Sequence, residues 1–234
     1  MRALSAEVCA AVWDDGFALI EGVFGENEVS LLVDAVTARA SAGPRKGGVR
    51  DLLELEAIRT LSQSAALSDL VEPILGGTAK VVRATLFDKT GEANWKVPWH
   101  QDVTIAVSQR VEIEGFGPWS VKDGVLHVQA PTEILEKMIS VRVHLDDCPA
   151  ENGALRVIAG SHHSGRMPAD SADGFLRGGG LVTCAMKRGG VLLMRPLLFH
   201  ASSAATVPSH RRVIHFDYAA VELPLGMRWA VDQA

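Results

Sequence analysis

Cysteine is scarce and scattered. Cys9, Cys148 and Cys184 are three isolated residues. They are odd in number and lack C-x-x-C spacing, so they suggest neither a thiolate zinc centre nor a disulfide framework. Free thiols in a reducing compartment are the simpler reading. Concentrated positive charge is missing too. The 23 Lys and Arg against 28 Asp and Glu leave a net charge of −5. Outside Arg45-Lys46 the cations are dispersed, which leaves no nucleic-acid or membrane footprint. No run approaches the roughly 18 apolar residues a membrane span needs. Glu7 interrupts the short apolar stretch at the N-terminus and Asp14-Asp15 follow, which does not fit a signal peptide. The closing Asp232-Gln233-Ala234 is no retention or peroxisomal address. There is no internal repeat, low-complexity segment or clear linker. A cytoplasmic protein without nucleic-acid or membrane partners is expected, its oligomeric state open.

What is present suits one sizeable core. Hydrophobic residues make up 47% of the 234-residue chain, a length at which all-β barrels and sandwiches fold as one unit. Residues 4–15 read as a helix, with Ser5 as a cap and Val8, Ala11 and Val12 at helical spacing. Phe17-Ala18-Leu19-Ile20 reads as a short strand. Residues 26–41 form a second helix with the stripe Val29, Leu32, Val33, Val36 and Ala40. Residues 42–50 form a loop by their glycines, proline and charge, either a mobile flap or a solvated connector. Residues 51–75 carry two short helices that end at Gly76-Gly77.

From residue 79 the period changes to that of strands. Residues 80–87 favour a strand. In residues 139–146 apolar side chains alternate with Ser140, Arg142, His144 and Asp146, the pattern of a half-buried strand. Further short strands fall at 154–158, 181–185, 190–195, 197–203 and 211–219. Helices first and strands afterwards predict a mostly β, sandwich or barrel core with flanking helices. The division expected is a helical flank over 1–78 and a β core over 79–222, within a single 1–234 unit.

The chemistry centres on Trp99-His100-Gln101-Asp102. On a strand, His100 and Asp102 share one face. His200, a hundred residues later, ends an apolar run, where a buried imidazole needs a partner. Two histidines and one carboxylate on one side of a metal match the facial arrangement of non-haem Fe(II) oxygenases. A H-x-D pair is common by chance, and a lone histidine after an apolar run is often a hydrogen-bonded core residue. Arg211 adds weight. It opens another alternating strand, and a hairpin over 203–210 would bring it beside His200. A guanidinium there suits the far end of a dicarboxylate. Ser202 shares a face with His200 and offers a further hydrogen bond. Of the adjacent Arg211 and Arg212, only one can point inward.

At this point the chain resembles the phytanoyl-CoA dioxygenase-like (PhyH) family of Fe(II)/2-oxoglutarate-dependent oxygenases. The resemblance is carried in order by Asp15-Gly16-Phe17, Trp99-His100-Gln101-Asp102 and Leu145-Asp146-Asp147. The run from Glu151-Asn152-Gly153 to Gly160-Ser161-His162 continues it, and His200 with Arg211 completes it. Ala159 departs from the proline usual before Gly160-Ser161-His162, which affects a turn. The resemblance implies a double-stranded β-helix (jelly-roll, cupin-like) core with N-terminal helices. It implies His100, Asp102 and His200 as iron ligands. It implies Arg211 and Ser202 as the grip on the distal carboxylate of 2-oxoglutarate. The implied reaction consumes O2 and 2-oxoglutarate, releases succinate and CO2, and hydroxylates a small-molecule metabolite. Asp102 argues against halogenation, because related halogenases lack this carboxylate.

Other residues keep two readings. His127 and Gln129, in the insertion 108–135, are substrate-contact candidates, since loops carry specificity on such scaffolds. Trp119 lines the same entrance or only pins the loop. Asn94 and Lys96 precede the metal motif and approach substrate or cosubstrate. Arg142 and His144 face either a cavity or water. His162-His163 reads as a turn rather than a metal tract, and Glu151-Asn152-Gly153 as a turn that sets up the next strand. Two rival functions remain: a cupin-like metal-dependent hydrolase or isomerase, which the lack of a second H-x-H pair weakens, and a non-catalytic small-molecule-binding protein on the same scaffold.

Overall fold

A computed structural model of the protein describes residues 6–40, 48–50, 52–207 and 209–233. Ser5 and most of the proposed 42–50 loop lie outside them. The chain is mostly β, with several antiparallel sheets and few helices. Twelve strands are described: β1 Phe17–Ile20, β2 Lys80–Lys89, β3 Val97–His100, β4 Thr104–Val107, β5 Trp119–Lys122, β6 Val125–Gln129, β7 Met138–His144, β8 Leu155–Ile158, β9 Leu181–Cys184, β10 Val191–Met194, β11 His200–Ser202 and β12 Arg211–Ala219. Six α-helices accompany them: α1 Ala6–Asp14, α2 Glu26–Ala40, α3 Glu56–Ser62, α4 Ala65–Leu75, α5 Thr132–Leu135 and α6 Ala172–Arg177. No described helix is long and apolar enough to cross a membrane.

The major sheet runs β1-β10-β7-β12-β2 and the minor sheet β3-β11-β8-β9. A third, three-stranded ribbon, β4-β6-β5, joins β4 to two strands of the predicted 108–135 insertion. This is the expected cupin-like jelly roll, with one refinement. The short strand β1 lies within the segment read as helical flank, yet it pairs with β10 and forms an edge of the major sheet.

Alternation along each strand separates the two faces of the major sheet. On β12, Ile214, Phe216 and Tyr218 join Val141, Val143, Ala84 and Leu86 in the core under the helices. The helices bury complementary stripes there: Val29, Leu32 and Val36 from α2, and Leu67, Leu70 and Val71 from α4. Each fully buried side chain of this kind contributes about 1.5–3 kcal/mol. The opposite face looks into the sandwich, where Leu192 and Met194 pack against Leu155 and Val157 of the minor sheet.

Ser140, Arg142 and His144 also lie on this inner face, and they are buried. The expectation of a half-buried β7 is therefore corrected: every residue of β7 is buried. Its polar side faces the interior between two sheets, an environment that an alternating pattern cannot distinguish from water.

The C-terminal segment beyond 222 closes the other end. Trp229 is fully buried, bridges Val107 and packs with Ile105, Val128 and Leu135. Its indole Nε1 donates to the Val221 carbonyl at 3.3 Å. Trp229→Ala is expected to cost about 3–5 kcal/mol of stability, measured as a lower denaturant midpoint at unchanged slope.

Candidate metal centre

His100 and His200 are cross-strand partners in the antiparallel pair of β3 with β11. Directly opposed residues project to the same side of a sheet, so their rings meet at 4.1 Å between centroids. Asp102 comes from a different kind of element. β3 ends at His100, and Asp102 lies in the irregular link before β4. The expectation of one continuous strand face is therefore corrected. The aspartate is held instead by its backbone N–H, which donates to the Pro196 carbonyl at 2.8 Å. Its carboxylate oxygens lie 3.7 Å from His100 Nε2 and 3.5 Å from His200 Nε2. The three ligand atoms fall within 4.8 Å of one another.

The orientation of both imidazoles is set by the same local device. His100 Nδ1 is 2.9 Å from the Pro98 carbonyl, and His200 Nδ1 is 2.9 Å from the Leu198 carbonyl. A carbonyl only accepts, so each Nδ1 carries the proton and each Nε2 presents a lone pair. Burial pushes His200 down to about 4, with Asp102 pulling the other way, so this imidazole is neutral at physiological pH. Two neutral nitrogens and a carboxylate, without thiolate, form a donor set suited to Fe(II). His200 is almost fully buried, whereas the His100 side chain is 34% exposed, so the triad opens on the His100 side.

Gln101, between the two candidate ligands, has a definite structural role. It is buried. Its amide donates to the carbonyls of Leu197 at 2.6 Å and Gly165 at 2.8 Å, and its oxygen accepts from Met167 N–H at 2.8 Å. One side chain thus ties the ligand segment to the apolar run before His200 and to the loop after His163.

Behind the triad, the inner face of the major sheet carries a cluster of cations. Arg211 is buried, and its guanidinium donates to the Gly153 carbonyl. That carbonyl belongs to the predicted turn, where Gly153 has φ +70° and an added Cβ would sit 2.7 Å from the Ser203 carbonyl. Arg212 points the other way and grips Asp146 through Nε at 2.9 Å and a terminal nitrogen at 2.6 Å. The inward residue of the pair is thus Arg211. It is not a hairpin neighbour of His200, as expected from the 203–210 connection. β11 and β12 belong to different sheets, so the two residues face each other across the sandwich.

Lys89, directly opposite Arg211 on β2, is buried. It donates to Ser202 Oγ at 3.0 Å and to the Ser203 carbonyl at 3.0 Å. Burial, then the neighbouring Arg211, push it down to about 8. Arg142 donates to His215 Nδ1 at 3.0 Å, and burial followed by Arg211 lowers it to about 10. His215 Nε2 donates in turn to Asp217 at 3.0 Å. Asp217 also takes Ser140 Oγ at 2.7 Å and Arg83 Nε at 2.6 Å. Arg142 takes the cavity-facing of its two readings, whereas Lys89 and Asp217 escaped the sequence reading. Only the register that sets Lys89 opposite Arg211 and Arg142 opposite His215 reveals them.

The substrate candidates separate. Gln129 lines a cavity with His100, Gln101 and Arg166. His127 lines a larger one with Arg83 and Ala106. Trp119 packs against the core of the ribbon beneath Arg110, 5.3 Å above its ring. Asn94 uses its amide on the backbone of Ala205, donating at 2.9 Å and accepting at 2.7 Å. It is placed to hold the link between β11 and β12. Lys96 is exposed. His162 and His163 bond the carbonyls of Trp13 and Asp14 at 3.0 and 3.1 Å, as befits a turn docked on α1.

Comparison with known proteins places the chain among related sequences and folds. A curated relative, an ectoine dioxygenase of Sphingopyxis alaskensis, is 26% identical over 98% of this chain and 80% of its own length. An L-proline trans-4-hydroxylase of Streptomyces griseoviridis is 30% identical over 62% of this chain and 45% of its own. Among solved structures, the non-heme alpha ketoglutarate dependent carbocyclase SnoK from nogalamycin biosynthesis shares the fold. It has a TM-score of 0.74 and 18% identity, over 94% of this chain and 85% of that one. The model of the family described as phytanoyl-CoA dioxygenase (PhyH) matches residues 12–213, and with that extent of match the chain belongs to this family.

Proposed function

We propose that the protein is an Fe(II)- and 2-oxoglutarate-dependent dioxygenase that hydroxylates a small polar metabolite, with His100, Asp102 and His200 as the iron ligands. The observation that carries this reading is the pairing of an open, two-imidazole and one-carboxylate face with a buried cluster of cations behind it, none of which bonds a carboxylate directly. The donor set fits Fe(II). The cluster fits a dicarboxylate: Lys89, Arg142 and Arg211 bond hydroxyl, carbonyl and imidazole groups, and the Nε atoms of Arg142 and Arg211 have no partner among the described residues. Buried charge without a counter-ion is costly, and a bound dianion supplies one.

When bound, iron and 2-oxoglutarate supply the oxidising chemistry, in which O2 is reduced as the oxo acid is decarboxylated to succinate. The chain's own residues bind and orient. Pro98 and Leu198 carbonyls hold the two imidazoles with Nε2 toward the metal position. Arg211, Lys89 and Ser202 receive the distal carboxylate in a water-poor interior, where charge-assisted bonds are strong. Gln101 keeps the two ligand segments in one geometry. The relatives whose names specify ectoine and L-proline support a small polar substrate.

Three outcomes test this. Arg211→Ala is expected to weaken 2-oxoglutarate binding about ten- to a hundredfold, from loss of roughly 1.5–3 kcal/mol. Arg212→Ala should lower stability by releasing Asp146 but leave that binding unchanged. Anaerobic titration of the visible charge-transfer band distinguishes them, and the reverse pattern would sink the assignment of the distal grip. Asp102→Ala should abolish iron-dependent succinate formation with an unaltered circular dichroism spectrum. Full activity with stoichiometric iron would refute the triad.

The third is a pH dependence. Free Lys89 is largely protonated below its value of about 8, and a bound carboxylate favours its charged form. Below pH 8 binding therefore needs no proton. Above it, binding takes one up, and affinity should fall by up to roughly tenfold per pH unit. Lys89→Met should remove that slope, as read by calorimetry in buffers of different ionisation enthalpy.

A further inference from the structure

A cavity of about 1050 Å3 lies between the helical flank, the edge strand β2 and the β4-β6-β5 ribbon. It is distinct from the space between Lys89 and Arg211, and its wall includes Arg83, Ala106, Val125 and His127. The register places Ala106 opposite His127, Thr104 opposite Gln129 and Lys122 opposite Val125. Opposed residues share a face, so Thr104, Ala106, Lys122, His127 and Gln129 form one polar surface of the ribbon. It begins two residues after the ligand Asp102. Both nearby cations reach Thr104: Arg83 lies 3.4 Å from its carbonyl and Lys122 Nζ 3.4 Å from its hydroxyl.

Two groups on this surface are unspent. His127 is 1% exposed. Its Nδ1 is 2.9 Å from the Val125 carbonyl, which places the proton there and leaves Nε2 as an acceptor. That Nε2 has no partner among the described residues. Burial pushes this histidine down to about 4, so it is a neutral acceptor at physiological pH. Lys122 is the second. Arg83 is neutralised by Asp217 at 2.6 Å, and Arg50 at the rim by Asp123 of the β5–β6 turn. The Lys122 ammonium is half-buried, and its only hydrogen bond given among the described residues is the long one to Thr104.

We propose that the polar face of the ribbon, which lines this cavity at His127 and the cavity of His100 at Gln129, receives the substrate, that the substrate is a small carboxylate carrying an N–H or O–H donor, as an amino-acid-like metabolite does, and that Lys122 holds the carboxylate while His127 Nε2 accepts from the donor. The proposal rests on the oxygenase reading and names the substrate class of that site. The cations of the cavity wall are committed, Arg83 to Asp217, Arg50 to Asp123, Lys80 to Asp232 and Arg59 to the Leu53 carbonyl, and the single ammonium of Lys122 matches a monoanion better than a phosphate dianion. The cavity volume falls at the upper end for small-molecule sites. The Lys122 anchor sits beside Thr104, two residues from Asp102, whose charge acts on it.

The test uses the iron-loaded enzyme with 2-oxoglutarate and a panel of matched compounds: amino and hydroxy acids, their primary amides and methyl esters, and phosphate monoesters. Succinate release above the substrate-free level is expected only with free carboxylates. For the stimulating compound, Lys122→Met should raise the dissociation constant roughly ten- to a hundredfold, measured anaerobically by calorimetry. Lys122→Arg should restore most of it, and 2-oxoglutarate affinity should stay unchanged in both variants. Stimulation by amides, esters or phosphates overturns the proposal, as does a carboxylate that binds Lys122→Met as tightly as the native protein. A panel with no stimulating compound, while substrate-free succinate release persists, counts equally against it. If the native protein shows neither charge-transfer band nor succinate release, the oxygenase reading itself falls, and this assignment with it.

Discussion

Positive charge buried between two sheets is the constraint on which the rest of this structure turns. Lys89, Arg142 and Arg211 project from adjacent strands of the major sheet into a space sealed by the minor one. Desolvation opposes each charge, and mutual repulsion adds to it, which is why Lys89 and Arg142 are both held below their ordinary values. Such an arrangement survives only because the other face of the same sheet buries a large apolar core under the helices. The stability gained there offsets the cost of burying the cluster.

The metal face depends on a second, smaller constraint. Both imidazoles are oriented by carbonyls two residues earlier in their own segments. Each ligand's tautomer is thereby fixed by local backbone rather than by a distant side chain. The cross-strand pairing then brings the rings together, and Gln101 locks the irregular link that carries Asp102 against the run before His200. The triad is accordingly assembled from one sheet pair and one pinned loop. It stays open only on the side of His100, where the ribbon's polar surface begins.

Much of this was legible in the residues. The change from helical to strand period near residue 79 corresponds to the start of β2. Alternation allows only one of Arg211 and Arg212 to point inward, and the structure makes it Arg211. His100, Asp102 and His200 stand out as polar residues beside apolar runs, and the structure brings them within 4.8 Å. Other features were not legible. A polar stripe on β7 has one pattern whether it faces water or a sealed interior. Lys89 closes a strand in a manner common to surface lysines. Asn94, singled out for substrate, has its amide committed to Ala205.

The division has a physical basis. Period, turn residues and residue chemistry are local properties, so the order of elements, the ligand types and the reaction class were already written in the chain. Which strands become neighbours, and therefore which side chains share a buried space, depends on pairings between residues far apart. Lys89 with Arg211, Arg142 with His215, and a His127 Nε2 without a partner among the described residues are outcomes of that register. His100, Asp102 and His200 are candidate ligands by their residue chemistry. Folding brings them within 4.8 Å of one another, orients the two imidazoles and sets the cations behind them.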